Sequence, residues 1–149
     1  MGRVTTLRSL TLGDVARLSL SVTLLPALYV AVSILPFARL RKGQLWLTER
    51  GRLPGSPDSA RIVWAVATAD RYLPGERKCL VRSLTTEAVM RLYGYDPTHR
   101  IGVDRGDDGG MKAHSWLEYE GEVIIGDVPN LDRYEPLPPL SAAAADVTV

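Results

Sequence analysis

Apolar side chains recur along this chain at two different periods, and the change of period divides it. Ile62, Val66, Ala69 and Leu73 stand three or four residues apart, and Leu80, Leu84, Ala88 and Leu92 stand four apart, the pattern of helices with one apolar face. From Arg100 the period shortens. Arg100-Ile101-Gly102-Val103 reads as a strand, and the half-apolar runs Ala113–Tyr119 and Glu122–Asp127 flank Glu120-Gly121 as the arms of a hairpin. Helices first and strands afterwards predict an α+β fold, in which N-terminal helices are followed by an antiparallel β-sheet.

Start and stop signals place the helices. Thr11-Leu12-Gly13-Asp14 reads as a capping box with Asp in the usual Glu role, opening a helix that Pro26 kinks and Pro36 ends. The basic stretch Arg39–Arg52, around Leu45-Trp46-Leu47, predicts a second, short helix before Leu53-Pro54-Gly55-Ser56-Pro57 breaks the chain. A third helix takes Ser56 as its cap and Pro57 as its first residue and stops at Leu73-Pro74-Gly75. A fourth begins near Cys79 and ends at Gly94, a residue suited to a left-handed conformation. Asp104–Gly110 reads as an acidic, glycine-rich loop. The chain therefore divides into an apolar and basic helical extension (1–55), a core (56–137) and a flexible, alanine-rich tail (138–149).

Within the extension, the 21 residues Leu18–Ala38 carry no charge, a stretch long enough to span a bilayer. Pro26, Pro36 and the hydroxyls of Ser19, Ser21, Thr23 and Ser33 weigh toward a helix on a membrane surface, docked on a partner, or packed on the domain. No small-residue cleavage pattern follows a short apolar core, so a signal peptide is not expected.

Cys79 is the one cysteine of the chain. It sits in Arg77-Lys78-Cys79-Leu80-Val81-Arg82, where cationic side chains meet a helix start, an environment that favours a thiolate nucleophile. The hairpin supplies a base. With Glu120-Gly121 as a two-residue loop, facing residues have numbers summing to 241, so Tyr119 faces Glu122, Trp116 faces Ile125 and His114 faces Asp127. Opposed Cβ atoms lie about 4.5 to 5.5 Å apart, which lets the carboxylate hold one ring nitrogen while the other serves the nucleophile. Cys79, His114 and Asp127 form a candidate catalytic triad.

Plainer readings apply elsewhere. His99, before a strand in Asp96-Pro97-Thr98-His99, reads as a surface loop residue and is the fallback base; Asp132 is the fallback carboxylate. Arg82 reads as an exposed helix arginine, and Trp116 as core packing or a wall behind His114. No residue between Ser56 and Lys78 announces an oxyanion donor; Trp64 and Tyr72 are candidates, and the Cys79 backbone N–H at the helix start is the expected donor, with a second donor unassigned.

Composition narrows the function. With 149 residues, 46% hydrophobic and 23% charged, the chain suits one compact domain. A net charge of +1 argues against a nucleic-acid binder acting through bulk electrostatics. One cysteine rules out an internal disulfide and multi-cysteine metal sites and fits a reducing, cytoplasmic setting, and two histidines make a zinc site unexpected. No cofactor is implied.

A cysteine at a helix start, followed by His and then Asp from adjacent strands at spacings of 35 and 13 residues, resembles the papain-like and transglutaminase-like arrangement. More closely, Cys79-Leu80-Val81-Arg82-Ser83-Leu84, Arg100-Ile101-Gly102-Val103, Ala113-His114-Ser115-Trp116-Leu117-Glu118 and Asp127 resemble the leader peptidases of lasso peptide biosynthesis, over residues 58–136. The resemblance implies the catalytic half of a split peptidase, a transglutaminase-like core that removes the leader from a ribosomally made precursor peptide. It also implies a separate leader-recognition protein and a lasso cyclase as partners. Cys79 would be the nucleophile, His114 the base and Asp127 the orienting carboxylate. The rival readings are an acyl transferase of the same fold, in which an amine replaces water, and a non-enzymatic membrane-associated adaptor that binds peptide and relies on residues 18–38.

Overall fold

The computed structural model describes residues 11–73, 79–105, 109–128 and 131–137. Among the described residues four helices come first: α1 (Leu12–Ile34), α2 (Phe37–Arg50), α3 (Ser59–Tyr72) and α4 (Cys79–Leu92). The strands β1 (Thr98–Arg105), β2 (Met111–Tyr119), β3 (Glu122–Ile125) and β4 (Glu135–Pro136) follow, with one 3-10 turn at Leu131–Arg133 before β4. They form a four-stranded antiparallel sheet in the order β3-β2-β1-β4. This is the α+β order expected from the change of apolar period.

Local chemistry sets the helix ends. Thr11 caps α1 through a reciprocal capping box with Asp14, as the sequence predicts. Pro26 lies inside α1, on its exposed side, and the helix continues to Ile34, with Pro36 as the cap of α2. The start of α3 differs from expectation by two residues: Asp58, not Ser56, is the N-cap, and Pro57 stays outside the helix, where its carbonyl accepts a hydrogen bond from the Tyr95 hydroxyl. Gly94 takes the left-handed conformation (φ 91°) that ends α4.

α4 is the centre of the molecule. Val81, Leu84, Val89 and Met90 are fully buried, with Ile62 and Val66 of α3, Leu25 of α1 and Leu117 of β2 in the same core. Burial extends around almost the whole of α4 between Val81 and Met90, so the Leu80/Leu84/Ala88/Leu92 stripe describes only one side of it. Surrounded on several faces, a helix has no need of a single apolar stripe.

A buried polar network fastens the helices to the sheet. Arg41 of α2 donates two hydrogen bonds of 2.6 Å to the carboxylate of Glu87 on α4, and Arg91 adds a third at 3.0 Å. His99 of β1 donates from Nδ1 to Glu87 Oε2 at 2.9 Å, and its Nε2 lies 2.6 Å from the Ser115 hydroxyl on β2. Burial pulls the Glu87 carboxyl upward, but the His99 and Arg41 hydrogen bonds outweigh it and leave the group at about 2. His99 is thus a core residue on a strand, not the surface loop residue its preceding Pro97 implied. β1 begins at Thr98, immediately after the proline, and Glu87 on the preceding helix supplies the partner that a buried imidazole needs.

The β1 strand also runs further than Arg100–Val103: Asp104 is buried within it instead of opening a loop. Glu135-Pro136, at the end of the expected core, forms the edge strand beside β1; at an edge the missing proline N–H costs no ladder bond. The expected tail at 138–149 and residues 106–108 of the expected loop lie outside the described residues.

Candidate active site

The hairpin that carries His114 turns as predicted at Glu120-Gly121. Both residues have positive φ (52° and 79°), the conformation of a two-residue turn matched to strand twist, and Tyr119 pairs with Glu122. The register then changes. Glu118 pairs with Val123, but Leu117, not Trp116, pairs with Ile125, because a bulge lies between Leu117 and Glu118. The expected Trp116–Ile125 pair is therefore absent, and the ladder ends at Ile125, before Asp127.

The bulge brings Gly126 over β2. A Cβ on Gly126 would lie 2.7 Å from the Ser115 carbonyl and 2.9 Å from Trp116 Cα, and its φ of 88° is one that side-chain-bearing residues avoid. This close approach places the Gly126 carbonyl 2.5 Å from His114 Nε2. A carbonyl only accepts, so Nε2 carries the proton and Nδ1 is left with a lone pair, the state a general base requires. Asp127, the next residue, is exposed, and so is Asp132 on the 3-10 turn.

Side chains alternate along β2, so His114, Trp116 and Glu118 share one sheet face while Ser115 and Leu117 face α4. On its own face His114 is half-buried, stacked at 6.1 Å on Trp116 and at 5.4 Å from the Tyr134 ring. Trp116 is 3% exposed and donates its indole N–H to Glu118, so it is both core and a wall beside His114. Gly102, directly opposite His114 on β1, makes room for this cluster: a Cβ there would come within 2.7 Å of the Trp116 ring and 2.9 Å of Tyr134 Cβ. Gly102, Gly126 and Tyr134 are site residues that sequence reasoning passed over. A glycine inside a strand pattern was the available signal for Gly102.

Cys79 is the first residue of α4 and is half-buried. Ser83, one turn along the same face, donates to the Ser115 carbonyl, the atom against which Gly126 packs. The start of α4 and the strand bearing His114 are thus linked through Ser83, Ser115 and Gly126. Among the described residues, no hydrogen bond joins the Cys79 thiol to His114. Arg77 and Lys78 of the expected cationic cluster lie outside the described residues. Arg82, the third member, is 41% exposed at its side chain and lies 3.7 Å from Asp70. Trp64 is half-buried on α3, and Tyr72 is 67% exposed at its end. No group of His, Cys, Asp and Glu with the makings of a metal site occurs among the described residues.

This combination of a helix-start cysteine, a sheet-borne histidine and helix-then-sheet order coincides with a family match: a model of the transglutaminase-like superfamily covers residues 22–138. The chain belongs to the transglutaminase-like superfamily. The match takes in the later part of α1 and all of α2, as well as the helix and strands that carry Cys79 and His114. The superfamily includes cysteine peptidases and acyltransferases, commonly cysteine-based enzymes. No curated protein and no solved structure matches the chain.

Proposed function

We propose that this transglutaminase-like protein is a cysteine peptidase that removes the leader from a ribosomally made lasso peptide precursor. The observation that carries the reading is the His114 tautomer: Nε2–H is held by the Gly126 carbonyl, and Nδ1 is free to take a proton. In the proposed cycle the Cys79 thiol gives its proton to His114 Nδ1 and the sulfur attacks the scissile carbonyl, with the Cys79 backbone N–H as an oxyanion donor. The tetrahedral adduct collapses to a thioester as His114 returns the proton to the leaving amine. Water, deprotonated by His114, then releases the acid and restores the thiol. His114 lies on the face of β2 away from α4, so the cycle requires substrate binding to bring the Cys79 sulfur at the end of α4 and His114 Nδ1 together at the rim of the sheet. The Gly126 carbonyl orients the ring, and Asp127, the next residue, is assigned the role of a nearby negative charge that favours the imidazolium formed during the cycle.

Leader affinity comes from a separate recognition protein, which raises the local substrate concentration, and the cut core passes to a lasso cyclase. The setting is cytoplasmic. The test is mass spectrometry of a precursor peptide incubated with the chain and the recognition protein. Cleavage at one bond that disappears with Cys79→Ala is the expected result. An amine adduct in place of the free acid would instead identify an acyl transferase. Binding of the precursor without any product would leave a peptide-binding adaptor, and cleavage that survives Cys79→Ala would remove the nucleophile assignment.

A further inference from the structure

We infer that α1 and the α1–α2 corner form a peripheral docking surface for an anionic phospholipid bilayer. α1 is long and apolar enough to cross a membrane by length and composition, yet its two sides have opposite fates. Asp14, Arg17, Ser21, Leu25 and Leu28 are buried against the rest of the protein. Val15, Val22, Tyr29, Val30, Ile34 and Phe37 are exposed and cover the outer side through to the start of α2. From Leu18 to Ala38 this surface has no charged side chain.

The buried stripe excludes a spanning helix. Asp14 accepts from Arg17 at 2.7 Å and from Arg61 of α3 at 2.9 Å, and the Arg17 guanidinium lies over the Tyr93 ring. Moving α1 into a bilayer would strip Asp14 of Arg61 and pull Leu25 and Leu28 out of the protein core. A helix pinned on its polar stripe and bare on its apolar side is suited to lie in the interface plane.

Charge selects the occupant. Arg39 and Lys42 are exposed on α2 near the apolar corner, and Arg50, at the far end of the same helix, stacks over the exposed Trp46 ring at 4.5 Å. Glu49 is the single acid within α2. An apolar groove of about 230 Å³, lined by Leu24, Leu28, Leu35 and Leu47 with Arg39 among them, opens between the two helices and continues the surface. Apolar area with interfacial aromatics and adjacent cations is the composition that anionic headgroups attract. A protein partner would find a long face without a charge to set its register.

The test is co-sedimentation of the full chain with vesicles of phosphatidylcholine alone or with 30% phosphatidylglycerol. Each cation near an anionic surface contributes roughly fivefold to partitioning, so binding at least about tenfold greater with phosphatidylglycerol is expected. It should weaken in high salt. Val22→Glu with Val30→Glu should abolish it, and Arg39→Gln with Lys42→Gln and Arg50→Gln should reduce it to the neutral-vesicle level while far-UV circular dichroism stays unchanged. Alkaline carbonate should release the bound chain. Equal binding to both vesicles, no binding to either, or retention after carbonate would overturn the inference. So would a dimer in solution that the two glutamates dissociate in a chain that ignores vesicles, since the surface would then join two copies. None of these readouts depends on peptide cleavage.

Discussion

The two histidines sit 15 positions apart in the sequence, on adjacent strands, and only one of them is placed for chemistry. His99 has the contacts of a catalytic triad: a carboxylate on Nδ1 and a serine hydroxyl 2.6 Å from Nε2. Yet His99, Glu87 and Ser115 are 2%, 0% and 2% exposed, and Glu87 is also held by Arg41 and Arg91. Nothing from solvent reaches that serine. Among the described residues, His114 has a single backbone carbonyl on one nitrogen and two aromatic neighbours, and its side chain is partly exposed. Access, not the completeness of a hydrogen-bond chain, separates the imidazole we propose as the base from the structural one.

The sharpest way to break this contrast is to remove each ring in turn. His114→Ala should lower peptide cleavage by about 10³- to 10⁴-fold, the range for losing a general base, while the thermal midpoint moves little. Equal loss of cleavage in His99→Ala, at unchanged stability, would reverse the assignment. Next in size is Glu87→Ala, which leaves the Arg41 guanidinium buried and unpaired. It should cost about 3 to 5 kcal/mol in a denaturant titration, and a loss below about 1 kcal/mol would mean the network is not sealed.

Acid tests the same network without mutation. The folded Glu87 carboxyl lies at about 2, below its ordinary value of 4.5, so its contribution is complete above pH 4.5 and disappears as pH falls toward 2. Unfolding midpoints should decline across that window, and the slope should flatten in Glu87→Gln. Smaller again is Gly126→Ala, where the added Cβ meets the Ser115 carbonyl at 2.7 Å in a left-handed backbone. Strain of about 1 to 3 kcal/mol is expected, with cleavage falling further than stability because the carbonyl that orients His114 moves. Ser115→Ala should cost only about 1 kcal/mol and leave the rate of cleavage near wild type.

The α+β order, the capping box at Thr11, the two-residue turn and the left-handed Gly94 were all legible in the sequence, because each depends on residues within a few positions of one another. The placement of His99 was not. A histidine two residues after a proline looks like loop, and only folding α4 back against β1 supplies the Glu87 carboxylate. The register near His114 failed for a related reason: a bulge is set by how Gly126 packs on Trp116, and no local pattern announces it. Cys79 and His114 were legible as chemistry by residue type, whereas Gly102 and Tyr134 gain their roles only from the cluster they build around the ring.

The strand order has a consequence for how the molecule comes into being. β4, the last strand among the described residues, pairs with β1 instead of its sequence neighbour β3, and Tyr134 just before it rests on His114. During synthesis the four described helices and the β1–β2 hairpin emerge before the β4 segment and can pack without it. The histidine pocket waits for the segment around residue 134 to leave the ribosome and cross back over two strands. The helical core can therefore form before the pocket around His114 is complete, and the imidazole gains its Tyr134 neighbour only once that segment has been made.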